Sequence, residues 1–273
     1  MSYNVTSKIQ QHYDFASPYY EQLWGNHIHH GYWITGKESK EEAAENLIQL
    51  LIQKSSLKKG SKVLDVGCGI GGTSIYLATK YRCDVTGITI SPVQVAMATA
   101  SAAALKVKNP PRFMVDDANH ISVKGTFDIV WSVEMISHLN NRDNLFRRAS
   151  ELLRPGGKMC ITDWLKDDGL SKEEVQKYID PIEKGMLVQL PSFSEYESHI
   201  QNHGFRLLYY EDISSAVSRT WDITSESIKP KVIWGLASKH SKELTGFLQS
   251  FKAMRAGFKS GAFRYPAMVL EKR

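Results

Sequence analysis

A glycine-rich loop between a predicted strand and a predicted helix constrains the fold of this chain more than any other feature. Residues 62–66 (KVLDV) form a short apolar run, a cluster of glycines follows, and residues 73–80 have helical character. Glycines let the backbone turn sharply and approach a ligand closely, and the start of a helix offers unpaired N–H groups. Through Gly67, Gly69 and Gly72 the loop matches the G-x-G-x-x-G pattern, which indicates a nucleotide-like ligand.

The rest of the chain alternates strands with helices at the spacing of parallel βαβ units. The predicted strands are 62–66, 83–90, 112–115, 127–131, 158–164, 205–211 and 265–270. The predicted helices are 5–24, 40–55, 73–80, 91–105, 142–153, 171–186, 192–203 and most of 224–259. This pattern predicts an α/β fold: a doubly wound, Rossmann-like, seven-stranded and mostly parallel sheet with a helical cover over the active site.

Composition excludes several classes of protein. The 273 residues carry 34 Lys and Arg against 29 Asp and Glu, a net charge of +5, and the two signs are interleaved. Nucleic-acid binders concentrate basic residues on one face, so we expect no nucleic-acid partner. No stretch reaches the roughly 20 apolar residues that cross a bilayer, so we expect no stable membrane insertion. Cys68, Cys83 and Cys160 are not spaced like metal ligands, which favours buried free thiols and a cytoplasmic location.

Two carboxylates separate the candidate ligands of the glycine loop. An NAD site has an acid at the end of the second strand to hold the ribose, whereas the nearest acid here, Asp84, stands at the beginning of that strand. Asp65 directly precedes the glycines and suits a ligand with an amino group and a positive charge. An NAD-dependent reductase is therefore disfavoured, and a P-loop ATP site is excluded because the chain has no G-x-x-x-x-G-K-[ST] sequence.

Five blocks in a fixed order carry a family resemblance: VLDVGCGIGG, GITIS, DDA at 116–118, FDIVWS and LLRPGGKM. The chain resembles the class I S-adenosylmethionine (SAM) dependent methyltransferases. The runs HHGYW at 29–33 and ITISP at 88–92 resemble the small-molecule branch with tocopherol methyltransferases, plant alkaloid N-methyltransferases and glycine-betaine pathway enzymes. The resemblance implies methyl transfer from SAM to a small-molecule acceptor, with S-adenosylhomocysteine as the product and no metal.

The same resemblance assigns the glycine loop to the cofactor. Gly67 and Gly69 pass under the cofactor with Cys68 between them, and Asp65 organises the amino end of its methionine part. Ser132, at the end of the fourth strand, is expected below the reacting sulfur.

The ribose and the adenine are assigned to the next two strand ends. Thr89 and Ile90 stand where many class I enzymes have an acid for the ribose hydroxyls, and Gln94 is a candidate for that contact. Asp117 and Ala118 flank the adenine in the resembling enzymes, while Asp116 is expected to be a solvated surface acid.

Two tyrosines of the N-terminal segment, Tyr13 and Tyr32, are expected to fold over the cofactor and exclude water. Packing among core aromatics is the alternative for both. The neighbouring His29 and His30 point in different directions and have no third ligand in the pattern, so we expect a polar wall of the acceptor pocket rather than a zinc site.

Glu134 and His138 are the candidate catalytic residues. They follow the fourth strand, at the sheet edge where doubly wound folds bind ligands, and four-residue spacing puts them on one face of a helical turn. We expect His138 to be the general base and Glu134 to orient it or to bind an ammonium group. A structural hydrogen bond to the N-terminal helices is the alternative.

The chain is expected to be one domain: an N-terminal helical cover (1–56), a SAM-binding core (57–165), an acceptor-pocket cover with a late strand (166–261) and a closing strand (262–273). Apolar and aromatic side chains of the cover favour an apolar or aromatic specialised metabolite as acceptor: Met186, Leu187, Phe193, Tyr196, Trp221 and Trp234. They do not select nitrogen, oxygen or carbon as the methylated atom, and the oligomeric state is not predicted.

Other functions remain as alternatives. Nucleic-acid methyltransferases carry an Asn/Asp-Pro-Pro-aromatic motif after the fourth strand, whereas Asn109-Pro-Pro precedes the third strand and has no aromatic residue. A protein methyltransferase would need an acceptor-docking patch, and none stands out. A protein that keeps SAM while it binds or cyclises a small molecule would retain the same cofactor residues, so the sequence leaves that alternative open.

Overall fold

A computed structural model of the chain describes residues 2–105, 108–227 and 242–273. The strands are β1 (Lys62–Val66), β2 (Asp84–Thr89), β3 (Arg112–Val115), β4 (Phe127–Val133), β5 (Leu153–Thr162), β6 (Leu165–Lys166), β7 (Phe205–Asp212), β8 (Phe263–Arg264) and β9 (Pro266–Lys272). The described helices are α1 (Ser2–Trp24), α2 (Lys40–Ser55), α3 (Gly72–Tyr81), α4 (Pro92–Ala104), α5 (Arg142–Leu152), α6 (Lys172–Glu174), α7 (Asp180–Met186), α8 (Phe193–Asn202), α9 (Ser214–Val217), α10 (Arg219–Ser227) and α11 (Lys242–Ser260).

Seven strands form one sheet in the order β3-β2-β1-β4-β5-β9-β7. The pairs from β3 to β5 are parallel, and β9 runs antiparallel to both of its neighbours. This is the doubly wound, mostly parallel sheet that the sequence predicts. Its switch in strand order, between β1 and β4, brings the carboxyl ends of the parallel strands to one edge, where such folds bind ligands.

The central strands are buried on both faces because helices cover both sides of the sheet. Trp131, Cys160 and Val269 pack with α2, α10 and α11 in one apolar cluster. Val130 and Met159, which alternate with them along β4 and β5, pack with α5 and α8 in the other. The three cysteines are free and buried, as predicted.

Helix starts follow the capping signals of the sequence. Ser91 caps α4 by accepting a hydrogen bond from the backbone N–H of Gln94, and Pro92 takes the first helical position. Ser39 and Ser192 begin α2 and α8 with full capping boxes.

Several boundaries differ from the prediction. β5 begins at Leu153 instead of residue 158, with an irregularity in its pairing to β4. The predicted helix 171–186 is interrupted by a π-helical turn over Val175–Ile179. A small sheet of β6 and β8 was not predicted, because two-residue strands leave no periodic pattern. Part of the predicted helix 224–259, including Trp234, lies outside the described residues.

In the described ranges, no helix combines the length and the apolar character needed to cross a bilayer.

Candidate active site

A cavity lies at the carboxyl edge of the parallel strands, under the N-terminal helix α1. Its empty volume is about 820 Å³, including the open space at its mouth. Ten of the predicted site residues line it: Tyr13, Gly67, Gly69, Thr89, Ile90, Gln94, Asp117, Ala118, Glu134 and His138. The loops after β1, β2, β3 and β4 thus meet at one site, with side chains of α1 as its roof.

The glycine loop keeps the backbone against the end of β2. The N–H groups of Gly67 and Cys68 donate to the Ile88 carbonyl over 2.9 and 3.0 Å. Gly67 has φ +81°, and a Cβ there would lie 2.3 Å from Cγ of Met135, so no other residue fits without displacement. A Cβ at Gly69 would meet nothing within 4 Å, so this part of the loop borders open space.

Three of the predicted cofactor residues lie behind the cavity wall. Asp65 is buried at the end of β1, where Oδ2 accepts a 2.6 Å hydrogen bond from Ser74 Oγ. Burial raises the pKa of Asp65 to about 6, although the hydrogen bond from Ser74 opposes the rise. Cys68 is buried inside the loop, and the buried Ser132 Oγ has no hydrogen-bond partner among the described residues.

The end of β2 is joined to α1 by a chain of polar contacts. Thr89 Oγ1 donates to Gln94 Oε1 over 2.7 Å, and Gln94 Nε2 donates to Ser17 Oγ over 3.1 Å. Ser91 Oγ donates to Asp14, which like Ser17 belongs to α1. The amide of Gln94 is therefore engaged at both ends, which fixes α1 above the cavity.

The expectation that Asp116 is only a solvated acid is wrong. Its Oδ2 accepts from the backbone N–H groups of Ser122 and Val123, and its Oδ1 accepts from the N–H of Asp117, so it shapes the loop after β3. Asp117 Oδ1 accepts from both the backbone and the side chain of Asn119, over 2.8 and 2.9 Å.

Glu134 is the centre of a buried polar cluster. Its Oε1 accepts from the backbone N–H of His30 (2.6 Å), from His30 Nδ1 (2.9 Å) and from the Tyr265 hydroxyl (2.7 Å). Burial alone would raise the pKa of Glu134, but the neighbouring His30 and His29 hold it below its usual range. Glu134 also has φ +51°, a left-handed conformation that is uncommon for non-glycine residues.

The predicted pairing of Glu134 with His138 is wrong. The chain turns sharply at Glu134, and the following 3₁₀ turn (Ile136–His138) points the two side chains at different partners. The carboxylate that is hydrogen-bonded to this turn is Asp163, which accepts from the Ser137 N–H over 2.7 Å.

His138 is oriented by two contacts instead. Its Nδ1 lies 3.3 Å from the Leu187 carbonyl, and its Nε2 lies 3.0 Å from the Tyr13 hydroxyl. Burial lowers the pKa of His138 to about 4, so the ring is neutral at neutral pH. A carbonyl can only accept, so Nδ1 carries the proton and Nε2 accepts from Tyr13. The pKa of Tyr13 is raised by burial and by the charges of Glu134 and Asp163, which keeps its hydroxyl protonated.

Tyr32 does not lie over the cavity. Its backbone pairs with Ala43 and Asn46 of α2, and its ring packs against the core on that side of the sheet. Its hydroxyl lies near Glu211 on β7, at the far edge of the sheet. Burial and the charge of Glu211 raise the pKa of Tyr32. The packing alternative therefore holds for Tyr32, because the chain turns away from the cavity after His30.

Sequence reasoning missed some of the residues that build this site. His30 was expected only as a pocket wall, and its ring contacts Trp164, Trp221 and Tyr265 with centroids 4.9–5.9 Å apart. The HHGYW run was its signal. Asp163 had none, because its partners are distant in sequence.

The cover residues named from the sequence serve mostly as packing. Met186, Tyr196 and Trp221 are buried, and Tyr196 donates from its hydroxyl to Asp163 over 2.9 Å. Leu187 reaches His138 through its carbonyl, and Phe193 packs on Tyr210.

Residues 2–262 match the mycolic acid cyclopropane synthetase family. The chain is 32% identical over 230 residues to 27-O-demethylrifamycin SV methyltransferase of Amycolatopsis mediterranei, which covers 83% of this chain and 84% of that protein. It is 29% identical over 284 residues to the chloroplastic tocopherol O-methyltransferase of Arabidopsis thaliana, covering 97% and 81% of the two chains. The solved structure of the [4+2]-cyclase SpnF is 25% identical, with a TM-score of 0.83 over 97% of this chain and 94% of that one.

The matched family, the named methyltransferase relatives and the strand-edge cavity agree with one another. The chain belongs to the mycolic acid cyclopropane synthetase family of class I SAM-dependent methyltransferases, and it is a SAM-dependent methyltransferase of the small-molecule branch.

Proposed function

We propose that this methyltransferase methylates a hydroxyl oxygen of an apolar small molecule, with His138 as the general base. The observation that carries the proposal is the Tyr13–His138 pair, in which a neutral imidazole lines the cavity and accepts a hydrogen bond through Nε2. A hydroxyl acceptor needs such a group, because its oxygen becomes a strong nucleophile only as its proton leaves.

The cavity suits SAM on the side of the first three strands. We infer that the loop of Gly67 and Gly69 lies along the methionine part and that Asp117 accepts from the adenine amine through Oδ2. Both side-chain hydrogen bonds of Asp117 use Oδ1, and no described residue is hydrogen-bonded to Oδ2. Ile90 and Ala118 add apolar walls for the base. When bound, SAM supplies a methyl group on a positively charged sulfur.

In this proposal Thr89 and Gln94 bind the ribose of SAM, since both line the cavity and the end of β2 has no acidic residue. Asp65 and Ser132 lie behind the cavity wall. Asp65 fixes the loop through Ser74, and Ser132, near the end of β4, has a hydroxyl without a partner among the described residues. Cys68 contributes its backbone to the same loop.

His138 acts on the acceptor in a direction fixed by its partners. The Leu187 carbonyl holds the proton on Nδ1, so Nε2 keeps its lone pair toward the cavity. The Tyr13 hydroxyl occupies the place that an acceptor hydroxyl would take, and it swings aside or relays the proton. General base catalysis of this kind contributes roughly 10²–10⁴-fold to the rate.

Glu134 has a positioning role in this scheme. It ties His30 of the N-terminal segment and Tyr265 of the C-terminal segment to the end of β4, so it fixes the wall against which the acceptor lies. Holding the reacting atoms in a near-attack geometry is worth as much as roughly 7–11 kcal/mol.

The names of the relatives support oxygen and an apolar acceptor. The two relatives described above are named for O-methylation of a rifamycin precursor and of tocopherol. Apolar side chains also line the cavity itself: Ile9, Ile28, Ile88, Val133, Met135 and Leu139. A specialised metabolite with a phenol or an alcohol fits these features.

The test is methyl transfer from isotope-labelled SAM to pooled phenols, alcohols, amines and polyenes, followed by mass spectrometry. We expect label on a hydroxyl oxygen. His138→Ala should lower the turnover by roughly 10²–10⁴-fold and leave the SAM dissociation constant unchanged, and added imidazole should restore part of the activity. Label on nitrogen or carbon, or full activity of the variant, would overturn the proposal.

A second function is favoured by one observation, the 25% identity to the [4+2]-cyclase SpnF over 97% of this chain. In that case the protein binds SAM without transferring its methyl group and instead orders a polyene for ring closure. Conversion of a polyene in the pool to an isomer of equal mass, without label, would identify this activity.

A further inference from the structure

A cluster of three potential metal ligands lies on the surface, where α5 begins and α8 ends. Asp143 is in the first turn of α5, His199 is in the last turn of α8, and His203 is the residue that caps α8. His199 and His203 are four positions apart, so they share one face of the helix end. The three ligand atoms all lie within 4.8 Å of one another.

Two of the three separations between ligand atoms are near those of a tetrahedral site. Asp143 Oδ1 lies 2.7 Å from His203 Nε2 and 3.3 Å from His199 Nδ1. Ligands bound at about 2.1 Å from a tetrahedral ion lie about 3.4 Å apart. The first separation must widen by several tenths of an ångström, and the second already fits.

Packing holds the cluster in place while one side stays open. The ring of His199 stacks on the buried Phe146 of α5, with centroids 5.4 Å apart and planes 15° apart. The side chains of His199 and His203 are 23% and 15% exposed, and that of Asp143 is 56% exposed. An ion can therefore reach the three ligands from solvent and keep a water as its fourth.

We propose that Asp143, His199 and His203 bind a zinc ion that clamps α8 to α5. Two imidazoles and one carboxylate form a nitrogen and oxygen set that suits Zn²⁺. In the structure both ring nitrogens face Asp143 Oδ1 as N–H donors. On binding, each neutral ring moves its proton to its other nitrogen, and a protonated ring releases one proton to solvent.

This site is independent of the methyl-transfer proposal and lies outside the cavity, so it concerns stability rather than chemistry. It still connects to the active site through α8. Tyr196 of α8 donates to Asp163, which holds the Ser137 N–H next to His138. A clamp on α8 therefore steadies the turn that carries His138.

The test uses the full-length, tag-free chain after treatment with a chelator. Titration with ZnCl₂ should show one site, and binding should be at least about tenfold weaker in His203→Ala and Asp143→Asn, since even partners of metal ligands cost that much when removed. His120→Ala, an exposed histidine on another loop, is the matched control and should bind like the wild type. Zinc at about a hundred times its dissociation constant should raise the melting temperature of the wild type by about 5 °C.

Co²⁺ provides a second readout that does not depend on stability. A tetrahedral site gives intense visible absorption bands, and His203→Ala should lose them. Equal zinc affinity in all four proteins, or visible bands of unchanged intensity in His203→Ala, would overturn the proposal.

Discussion

The two sides of the cavity are built in different ways. On the side of β1 to β3, the walls are short loops formed by neighbouring residues, such as the glycine loop, in which the Gly71 N–H donates to the Cys68 carbonyl, and the Asp117–Asn119 turn. On the side of β4, Glu134 is held by His30 and Tyr265, which are 104 and 131 positions away in sequence. The first side is local and follows from motifs, whereas the second depends on the whole fold being in place.

The largest effect is expected from Gly67→Ala, on the β1 to β3 side of the cavity, and it is a loss of SAM affinity. The new Cβ would meet Met135 at 2.3 Å, and alanine is strained at φ +81°. The loop must shift to relieve strain and overpacking of about 1–3 kcal/mol each. This shift moves it away from the cofactor, so SAM affinity should fall about a thousandfold, or about 4 kcal/mol. Calorimetric titration with SAM measures this change.

The matched control is Gly60→Ala, because Gly60 has the same φ of +81° and no atom within 4 Å of an added Cβ. It should lose stability through the backbone alone and keep its SAM affinity. If both variants bound SAM equally well, the glycine loop would not be the cofactor site.

The second prediction concerns the β4 side of the cavity, where His138 lies. Burial of its neutral ring should make the free energy of unfolding depend on pH in the acid range. The pKa of His138 is about 4 in the folded protein against 6.5 when exposed, so the unfolded chain binds more protons between these values. Stability must therefore fall as the pH drops from 6.5 to 4, by about 3 kcal/mol at 1.36 kcal/mol per pKa unit.

His138→Asn has no proton to gain, so urea unfolding at several pH values should show a flatter acid limb for the variant. Asp65 and Asp163, whose pKa values are raised to about 6, act in the opposite direction between pH 3.8 and 6. They are present in both proteins and cancel in the difference. Parallel curves would mean that His138 is not buried as a neutral ring.

These two sides also explain what could be predicted from sequence. The seven strands of the main sheet, the glycine loop and the Ser91 cap depend on residues within a few positions, so their patterns predicted that these elements exist. The Glu134–His138 pair failed because a left-handed residue at the end of β4 changes the direction of the chain, and no local pattern reports a single φ. The partnership of Glu134 with His30 is a tertiary contact and leaves no spacing signal.

Glu134→Gln, on the β4 side of the cavity, should reduce the free energy of unfolding by a moderate amount. Glutamine keeps the shape but removes the charge that accepts three hydrogen bonds, and bonds to a charged group contribute roughly 1.5–3 kcal/mol. We expect a loss of about 2 kcal/mol in urea unfolding. Glu151→Gln, in an exposed pair with Arg147 and Arg148, is the control and should change stability by less than about 0.5 kcal/mol.

The smallest change in SAM affinity is expected from Tyr32→Phe, which tests whether Tyr32 belongs to the cofactor site. The sequence predicted that Tyr32 covers the cofactor, but its backbone is fixed on α2 and its hydroxyl lies near Glu211 at the far edge of the sheet. The variant should bind SAM within about twofold of the wild type, or about 0.4 kcal/mol. Tyr13→Phe, titrated in parallel, removes the hydroxyl that contacts His138 and should reduce turnover. A large loss of SAM affinity in Tyr32→Phe would mean that the N-terminal segment closes over the cofactor in another arrangement, and that the local side includes residues beyond the strand ends.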